Sequence, residues 1–273
     1  MSDFEFFRNV PIGQYLPLDS PLHRLDARAR IVLFTLLLFA TTFTQHPIGL
    51  LISLVIILAG LMIANIPLGY ALRGLIPLLP FLIFLTFLQL FFNTIQQPSP
   101  VILRLGPIAI TQADLLASIV FLMRFVGLIL ILSLATFTIS PAELTHGLEA
   151  MFRPFSRLGI PINDFVMAVQ ITLRFIPILA QNAEQIAKAQ ASRGAEWGTT
   201  QGHLLGRVRQ VIPIIIPLFL TSLHRADNMA LAMELRGYGG REIRTSMIEL
   251  RFSWKDAITI FLALSLAAAI LLI

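Results

Sequence analysis

Long apolar runs separated by short polar stretches dominate the first 139 residues of the chain. A membrane-spanning helix needs about 20 apolar residues, and several runs approach that length. The predicted spans cover about residues 31–43, 48–66, 75–92, 112–138 and 254–273. The third contains Pro77 and Pro80, which membrane helices tolerate where neighbouring groups satisfy the freed backbone. The pattern predicts an all-α integral membrane protein with about five transmembrane helices.

Polar residues mark the starts of three predicted helices. Each start has a hydroxyl residue followed three positions later by an acid, which is the capping-box pattern. The pairs are Thr111 with Asp114, Ser140 with Glu143, and Ser253 with Asp256. Pro141 strengthens the second start, because proline is favoured at the first helical position.

Two long helices follow, over about residues 163–193 and 200–236, and each is apolar in its first half and polar in its second. Each apolar half has roughly 15 residues, fewer than the about 20 that a span needs, and the polar halves cannot stay in lipid. We therefore predict helices that lie along or dip into the inner leaflet and project their C-terminal tips into the cytoplasm. Pro177, Pro213 and Pro217 lie inside them and are candidate kink positions.

Both long helices end in Arg-Gly. The first ends in Ser192, Arg193 and Gly194, and the second in Leu235, Arg236 and Gly237. A cation in the last turn opposes the helix dipole and a following glycine caps the helix, so one such end has a purely structural explanation. Two matching ends on the polar side of a membrane protein favour a function, because each arginine offers five donors in a rigid fork to a soluble partner.

Composition and charge place the chain in a membrane and orient it. Only 13% of the 273 residues are charged, against about 25% in soluble domains. Lys and Arg are almost absent near residues 41–47 and 93–111 but gather before residue 31 and between 140 and 255. Because positive residues stay cytoplasmic, we expect a multi-pass cell-membrane protein with both basic regions inside. This clustering explains the net charge of +5 without a nucleic-acid partner.

These features divide the chain into four parts. We predict a cytoplasmic N-terminal segment (1–30), a four-helix transmembrane part (31–139), a cytoplasmic-side module of long helices ending in the two Arg-Gly tips (140–252), and a C-terminal transmembrane helix (253–273). The C-terminus is then outside if the span count is right.

Several kinds of chemistry lack the residues they need. Without cysteine there is no thiolate metal site or thiol nucleophile. The sequence has no phosphate-binding G-x-x-x-x-G-K-[ST] loop and no H-E-x-x-H metalloprotease motif. Asp and Glu are absent from residues 31–92 and 115–138, which disfavours ion-coupled transport. We expect no catalytic residue, no metal and no cofactor in this chain.

Arg124 and Arg174 lie in apolar segments. A charge at the centre of a bilayer costs about 2.5–3.5 kcal/mol or more, so each arginine must face protein or extend to the membrane surface. The pattern favours a structural role for Arg124. It leaves structural and functional roles open for Arg174.

Six motifs, in order along almost the whole chain, together resemble the transmembrane T component of energy-coupling factor (ECF) vitamin and metal transporters. They are Ser20-Pro21-Leu22-His23-Arg24-Leu25-Asp26, Ser140-Pro141-Ala142-Glu143-Leu144, Leu158-Gly159-Ile160-Pro161, Leu173-Arg174-Phe175-Ile176-Pro177, Ala191-Ser192-Arg193-Gly194-Ala195 and Glu234-Leu235-Arg236-Gly237-Tyr238. The resemblance implies that Arg193 and Arg236 each insert into a groove on one of two ATP-binding-cassette (ABC) ATPase subunits. Ser192 and Leu235 stand where the strict motif has Ala.

The resemblance also implies a mechanism without catalysis by this chain. ATP binding closes the two ATPases and moves the arginine tips, and a separate substrate-binding S component packed on the apolar helix faces topples to release its vitamin inward. The implied partners are two ATPases, the S component and membrane lipid. Two alternatives stay open: a conventional ABC permease that binds substrate itself, which the nearly apolar spans disfavour, and a membrane scaffold without a transport role.

Overall fold

Helices make up most of the described chain. The computed structural model describes residues 16–92, 101–105, 108–154, 162–194, 204–239 and 252–272. Its helices are α1 (Ala27–Phe43), α2 (Pro47–Ile63), α3 (Leu68–Leu75), α4 (Leu79–Phe92), α5 (Gln112–Thr138), α6 (Pro141–Phe152), α7 (Ile162–Ser192), α8 (Leu204–Leu235) and α9 (Trp254–Leu272). The helical class is as predicted. The Leu158-Gly159-Ile160-Pro161 motif and the predicted helix start near Thr200 lie outside the described residues.

A short antiparallel hairpin, which the sequence did not predict, accompanies the helices. Strands β1 (Val101–Leu105) and β2 (Ile108–Thr111) pair in the connection before α5. Strands of five and four residues are too short for their periodicity to separate them from a loop.

The predicted third span is two helices rather than one. Helices α3 and α4 meet at a bend of 57°, and Pro77 lies in the break between them. Proline lacks an N–H group and its ring crowds the preceding turn, so it interrupts the helix here. Pro80 falls in the first turn of α4, where a missing donor is harmless.

By length and composition, three described helices can each cross a membrane: α5, α7 from Asp164 onward, and α9. The bent α3–α4 pair adds a fourth if it counts as one span. Helices α1 and α2 have 17 residues each, which is short for a span. The number of about five spans therefore stays a prediction. Helix α7, which the pattern placed along the inner leaflet, is long and apolar enough to cross.

Capping boxes start α5 and α6 as predicted. The Thr111 N–H donates to the Asp114 carboxylate at 3.0 Å, and the Thr111 hydroxyl accepts from the Asp114 N–H. Ser140 and Glu143 make the same reciprocal pair, with the Ser140 N–H 3.0 Å from the carboxylate. These bonds satisfy backbone donors that a helix start leaves unpaired.

One half of the third predicted box is present at α9. The Ser253 N–H donates to Oδ2 of Asp256 at 2.7 Å. The other carboxylate oxygen of Asp256 accepts from the N–H of Asp26 at 2.9 Å, and Asp26 itself caps α1. Asp256 is buried, so it joins the start of α9 to the start of α1.

The described residues form two units. The first contains α1–α6 and α9, and the second contains α8 and α7 from residue 163. The core of the first unit lies between α1, α2 and α5 and is built from Phe34, Leu37, Ile57, Leu61, Leu130, Ile131, Leu134 and Phe137. A smaller cluster of Ala40, Ala267 and Ile270 joins α1 to α9. The predicted boundaries at residues 140 and 252 stay predictions.

Two arginines clamp α1 to α5, one at each end of this antiparallel pair. Arg30, near the start of α1, donates to the carbonyl of Thr138, the last residue of α5. Arg124 of α5 donates to the carbonyl of Thr44, which follows α1, at 2.7 Å. Each guanidinium thus satisfies a carbonyl near a helix end, where intrahelical partners run out. Arg124 makes the kind of structural contact that the sequence favoured.

Arg30 also pairs with the capping acid of α6. Its Nη2 lies 2.8 Å from Oε1 of Glu143. Burial by itself would raise the pKa of Glu143, but the hydrogen bonds from Arg30 and the Ser140 N–H, with the charge of Arg30, outweigh it and lower that pKa. The buried Arg30 side chain therefore connects α1, α5 and α6 through one charged pair and one carbonyl.

Candidate functional site

The two longest described helices, α7 and α8, have 31 and 32 residues and run antiparallel. The hydroxyl of Tyr238, just past the end of α8, donates to Oδ1 of Asp164, near the start of α7, at 3.1 Å. Further along, the Arg225 guanidinium lies 5.9 Å from the centroid of the Phe175 ring. The later residue on α7 therefore contacts the earlier residue on α8, as expected for antiparallel helices.

This packing separates the two Arg-Gly ends. Arg236 is close in sequence to Tyr238, which contacts the start of α7, whereas Arg193 follows the end of α7. Almost the whole length of α7 lies between them, on the order of 40 Å at about 1.5 Å per residue. The sequence placed both tips on the polar side but did not predict their spacing.

Both helices have the predicted glycine cap. Gly194 has φ 86° and Gly237 has φ 77°, the left-handed conformation that glycine adopts most readily. An added Cβ at either position would meet no atom within 4 Å among the described residues. Glycine is therefore favoured by the backbone conformation and not by lack of space.

The bonds around Gly237 form a complete Schellman cap. The Gly237 N–H donates to the Glu234 carbonyl at 2.8 Å, and the Tyr238 N–H donates to the Met233 carbonyl at 3.0 Å. These are the two bonds that define the motif. The cap turns the chain sharply after Arg236, which is the C-cap residue directly after the last residue of α8.

Both tip arginines are exposed. Within the described part of the chain, neither guanidinium makes a hydrogen bond or an ion pair. Leu235, beside Arg236, is 80% exposed, and the Ser192 hydroxyl, beside Arg193, bonds back to the Ala189 carbonyl at 2.8 Å. Arginine is among the residue types that are enriched at protein–protein interfaces and in their hot spots.

The other predicted residues lie within the helices and not at the tips. Arg174 and Pro177 are exposed on α7. Helix α7 continues through Pro177, and α8 continues through Pro213 and Pro217. The structure does not bring Arg174 and these prolines together as one site, and a role for the prolines as kinks stays a prediction.

A groove of about 570 Å³ lies between α7 and α8. Its lining is mainly apolar and includes Ile171, Phe175, Ile176, Leu179, Met229 and Met233. Exposed apolar residues extend along α8, among them Ile215, Ile216 and Phe219. Exposed apolar surface of this kind marks contact with lipid or with another protein.

Sequence reasoning missed the two contacts that arrange this helix pair. Tyr238 appears in the second Arg-Gly motif, but no spacing in the sequence connects it with Asp164. Arg225 was recognised only as part of a polar half-helix, although its guanidinium faces the Phe175 ring at the distance of a cation–π contact. Both pairs are distant in sequence, so local periodicity carries no signal for them.

The sequence matches a known family over most of its length. Residues 19–247 match the family described as cobalt transport protein, CbiQ. The energy-coupling factor transporter transmembrane protein EcfT of Heliobacterium modesticaldum is 41% identical over 257 residues, 93% of each chain. The EcfT proteins of Thermosediminibacter oceani, 38% identical over 96% of each chain, and Lactococcus lactis subsp. cremoris, 33% identical over 93% of each chain, are also similar. The chain therefore belongs to the CbiQ family of transport proteins and is a transmembrane component of the EcfT type.

Proposed function

We propose that this chain is the coupling subunit of an ATP-driven ECF-type importer of vitamins or other micronutrients. It links two ABC ATPase subunits to a membrane S component that binds the substrate. ATP is hydrolysed by the partners, and this chain transmits motion. The observation that carries the proposal is the pair of exposed, glycine-capped arginines at opposite ends of the antiparallel α7–α8 pair.

The distance between Arg193 and Arg236 is compatible with binding to two separate partners. Ends separated by on the order of 40 Å can reach two separate folded subunits, whereas adjacent tips would compete for one surface. Each guanidinium can make paired hydrogen bonds to carboxylates or carbonyls in a groove. Helices α7 and α8 are continuous, and the Tyr238–Asp164 bond links the chain just past the end of α8 to the start of α7, so in this proposal a movement of the Arg236 tip is passed to α7.

The groove between α7 and α8 supplies a surface for the S component. Its apolar lining suits an apolar partner helix, since packing against a membrane protein needs shape complementarity more than charge. In this proposal the N-terminus and both tips face the cytoplasm, where the ATPases lie. The positive-inside distribution of Lys and Arg supports that orientation.

Alanine substitution of the tips tests the proposal. In the full complex, Arg193→Ala and Arg236→Ala should each weaken ATPase docking, because truncating a central interface arginine often costs about 2 kcal/mol or more. The double variant should lose both ATPases and substrate uptake. Arg24→Ala is the matched control, since Arg24 is also exposed but pairs with Asp19 within the chain. Wild-type complex and uptake in the double variant would contradict the proposal.

Substrate binding separates a coupling subunit from a conventional permease. The chain is purified with its ATPases, with and without the small membrane protein that accompanies them, and binding of radiolabelled vitamin is measured. We expect binding only when the small membrane protein is present. Binding by the chain and ATPases alone would assign the substrate site to this chain.

A further inference from the structure

The two arginine clamps between α1 and α5 are matched in position, but only one of the two arginines has an acidic partner. The same number of residues separates Arg30 from Thr44 on α1 and Arg124 from Thr138 on α5, about 20 Å at about 1.5 Å per residue. Each arginine donates to the carbonyl at the end of the opposite helix. Arg30 has Glu143 as its counter-charge at 2.8 Å. Within the described residues, Arg124 has no carboxylate in that place.

A cavity lies where the missing counter-charge would be. Its volume is about 450 Å³, and Arg124 is part of its wall, together with Gln45, Pro47, Gln89, Leu116, Ala117 and Phe121. No acidic side chain of the described residues lines it, so none of these neutralises the guanidinium. The volume falls in the range of small-ligand sites.

Two polar atoms in the wall are also unsatisfied. Among the described residues, Nε of Arg124 and Oε1 of Gln89 are buried without a hydrogen-bond partner. Buried polar groups are nearly always paired. Nε of Arg30 is unpaired as well, so the feature particular to this cavity is the acceptor Oε1 of Gln89 beside an arginine without a counter-charge. Arg124 offers a donor to an anionic oxygen, and Gln89 offers an acceptor to a hydroxyl of the same headgroup.

We propose that this cavity binds the headgroup of an anionic phospholipid, with Arg124 donating to the phosphate as Arg30 donates to Glu143. The cavity lies at the Thr44 end of α1, about 20 Å from the Arg30 clamp. With the Arg30 clamp at the cytoplasmic surface, as the distribution of Lys and Arg indicates, Arg124 lies about 10 Å inside the opposite surface of an about 30 Å hydrocarbon core. Local thinning of the bilayer brings the headgroup to that depth. Leu116, 57% exposed, lies beside the cavity and offers an apolar surface to an acyl chain.

Lipid retention by the purified full-length chain tests this assignment. The chain is mixed in detergent with phosphatidylglycerol or phosphatidylcholine, and bound lipid is measured by native mass spectrometry. We expect phosphatidylglycerol to be preferred, and Arg124→Gln to weaken its binding roughly tenfold, the scale of one charge-assisted hydrogen bond. Arg73→Gln is the control, because it removes the same charge from an arginine that lies over Tyr70 and not at this cavity.

A second variant distinguishes loss of the lipid-binding cavity from loss of the hydrogen bond between Arg124 and Thr44. Ala117→Phe fills the cavity but keeps Arg124 and its bond to Thr44, so it should also reduce phosphatidylglycerol binding while the chain stays folded. Equal retention of phosphatidylglycerol by the wild type and both cavity variants would overturn the proposal. Equal binding of phosphatidylcholine would exclude selection for an anionic lipid. Stabilisation by inorganic phosphate as strong as that by the lipid would assign the site to a soluble anion instead.

Discussion

The Arg30–Glu143 pair makes the stability of the α1–α5–α6 junction depend on pH. The pKa of Glu143 is lowered in the folded protein, so its contribution is complete above the ordinary carboxyl pKa of about 4.3. That contribution is lost as pH falls through the lowered folded value. We therefore expect the unfolding temperature of the purified protein to fall between about pH 5 and pH 3, and Glu143→Gln to remove part of this dependence.

At neutral pH the same variant should destabilise the protein, because the buried Arg30 loses its counter-charge. The expected loss is about 1–3 kcal/mol, less than the about 3–5 kcal/mol for a fully buried pair, since the Glu143 side chain is 37% exposed. Glu149→Gln is the control on the same helix, where the acid faces His146 at 3.7 Å. Equal pH profiles for the two variants would contradict a special role for Glu143.

Single residues differ in how far the sequence reveals them. The capping pairs Thr111–Asp114 and Ser140–Glu143 were predicted because each helix start is decided within four consecutive residues. The role of Arg30 was not predicted, although this arginine directly precedes the first predicted span. Its acceptor, the carbonyl of Thr138, is 108 positions away, and no local pattern connects a side chain with a distant backbone group.

At the scale of helices, the Tyr238–Asp164 bond holds the end of α8 against the start of α7. Tyr238→Phe removes the hydroxyl and keeps the ring in the groove, so we expect the last turn of α8 to open more often. The expected cost is about 0.5–1.5 kcal/mol, the net value of one hydrogen bond. Amide hydrogen exchange around Met233 and Gly237 should rise correspondingly.

Two further variants give this prediction its controls. Asp164→Asn keeps a carbonyl acceptor at the same place, so it should have a smaller effect than Tyr238→Phe. Tyr70→Phe makes the same chemical change on α3, where the ring lies beside Arg73, and should leave exchange in α8 unchanged. A rise in α8 exchange as large in Tyr70→Phe would show that the hydroxyl of Tyr238 is not responsible.

Element boundaries were predictable where caps or glycine define them and failed where proline or short strands intervene. The start of α5 at Gln112 and the glycine cap after Arg236 follow from residue chemistry alone. The break at Pro77 was interpreted as a tolerated proline, because a sequence cannot show whether neighbouring groups satisfy the freed backbone. The β1–β2 hairpin is stabilised by pairing between two runs, neither of which predicts a strand by itself.

For the whole α7–α8 unit, the direction of packing is what decides whether one chain can serve two partners. The two helices have the same sequence layout, apolar and then polar, and that layout is equally compatible with parallel and antiparallel packing. The contacts Asp164–Tyr238 and Phe175–Arg225 select the antiparallel arrangement. They place the two similar motifs at opposite ends of the helix pair.

A distance measurement tests this arrangement directly. Because the chain has no cysteine, Ser192→Cys and Leu235→Cys introduce the only labelling sites, and both positions are exposed. Spin labels there should give a main distance on the order of 40 Å. Side-by-side tips would instead give a distance near the about 8–10 Å spacing of packed helices, lengthened by the labels.

A pair of spin labels on one face of α7 measures how much the label side chains add to a distance. Glu184→Cys and Lys188→Cys lie one turn apart on α7, where their side chains pair in the wild type, so their distance reports the contribution of the label arms. A short distance between the tips, close to this calibration pair, would place both arginines on one surface. That result would remove the geometric basis for two ATPase partners and favour a single docking site. A long distance that changes when ATP binds to the complex would instead show that the tips move during the ATPase cycle.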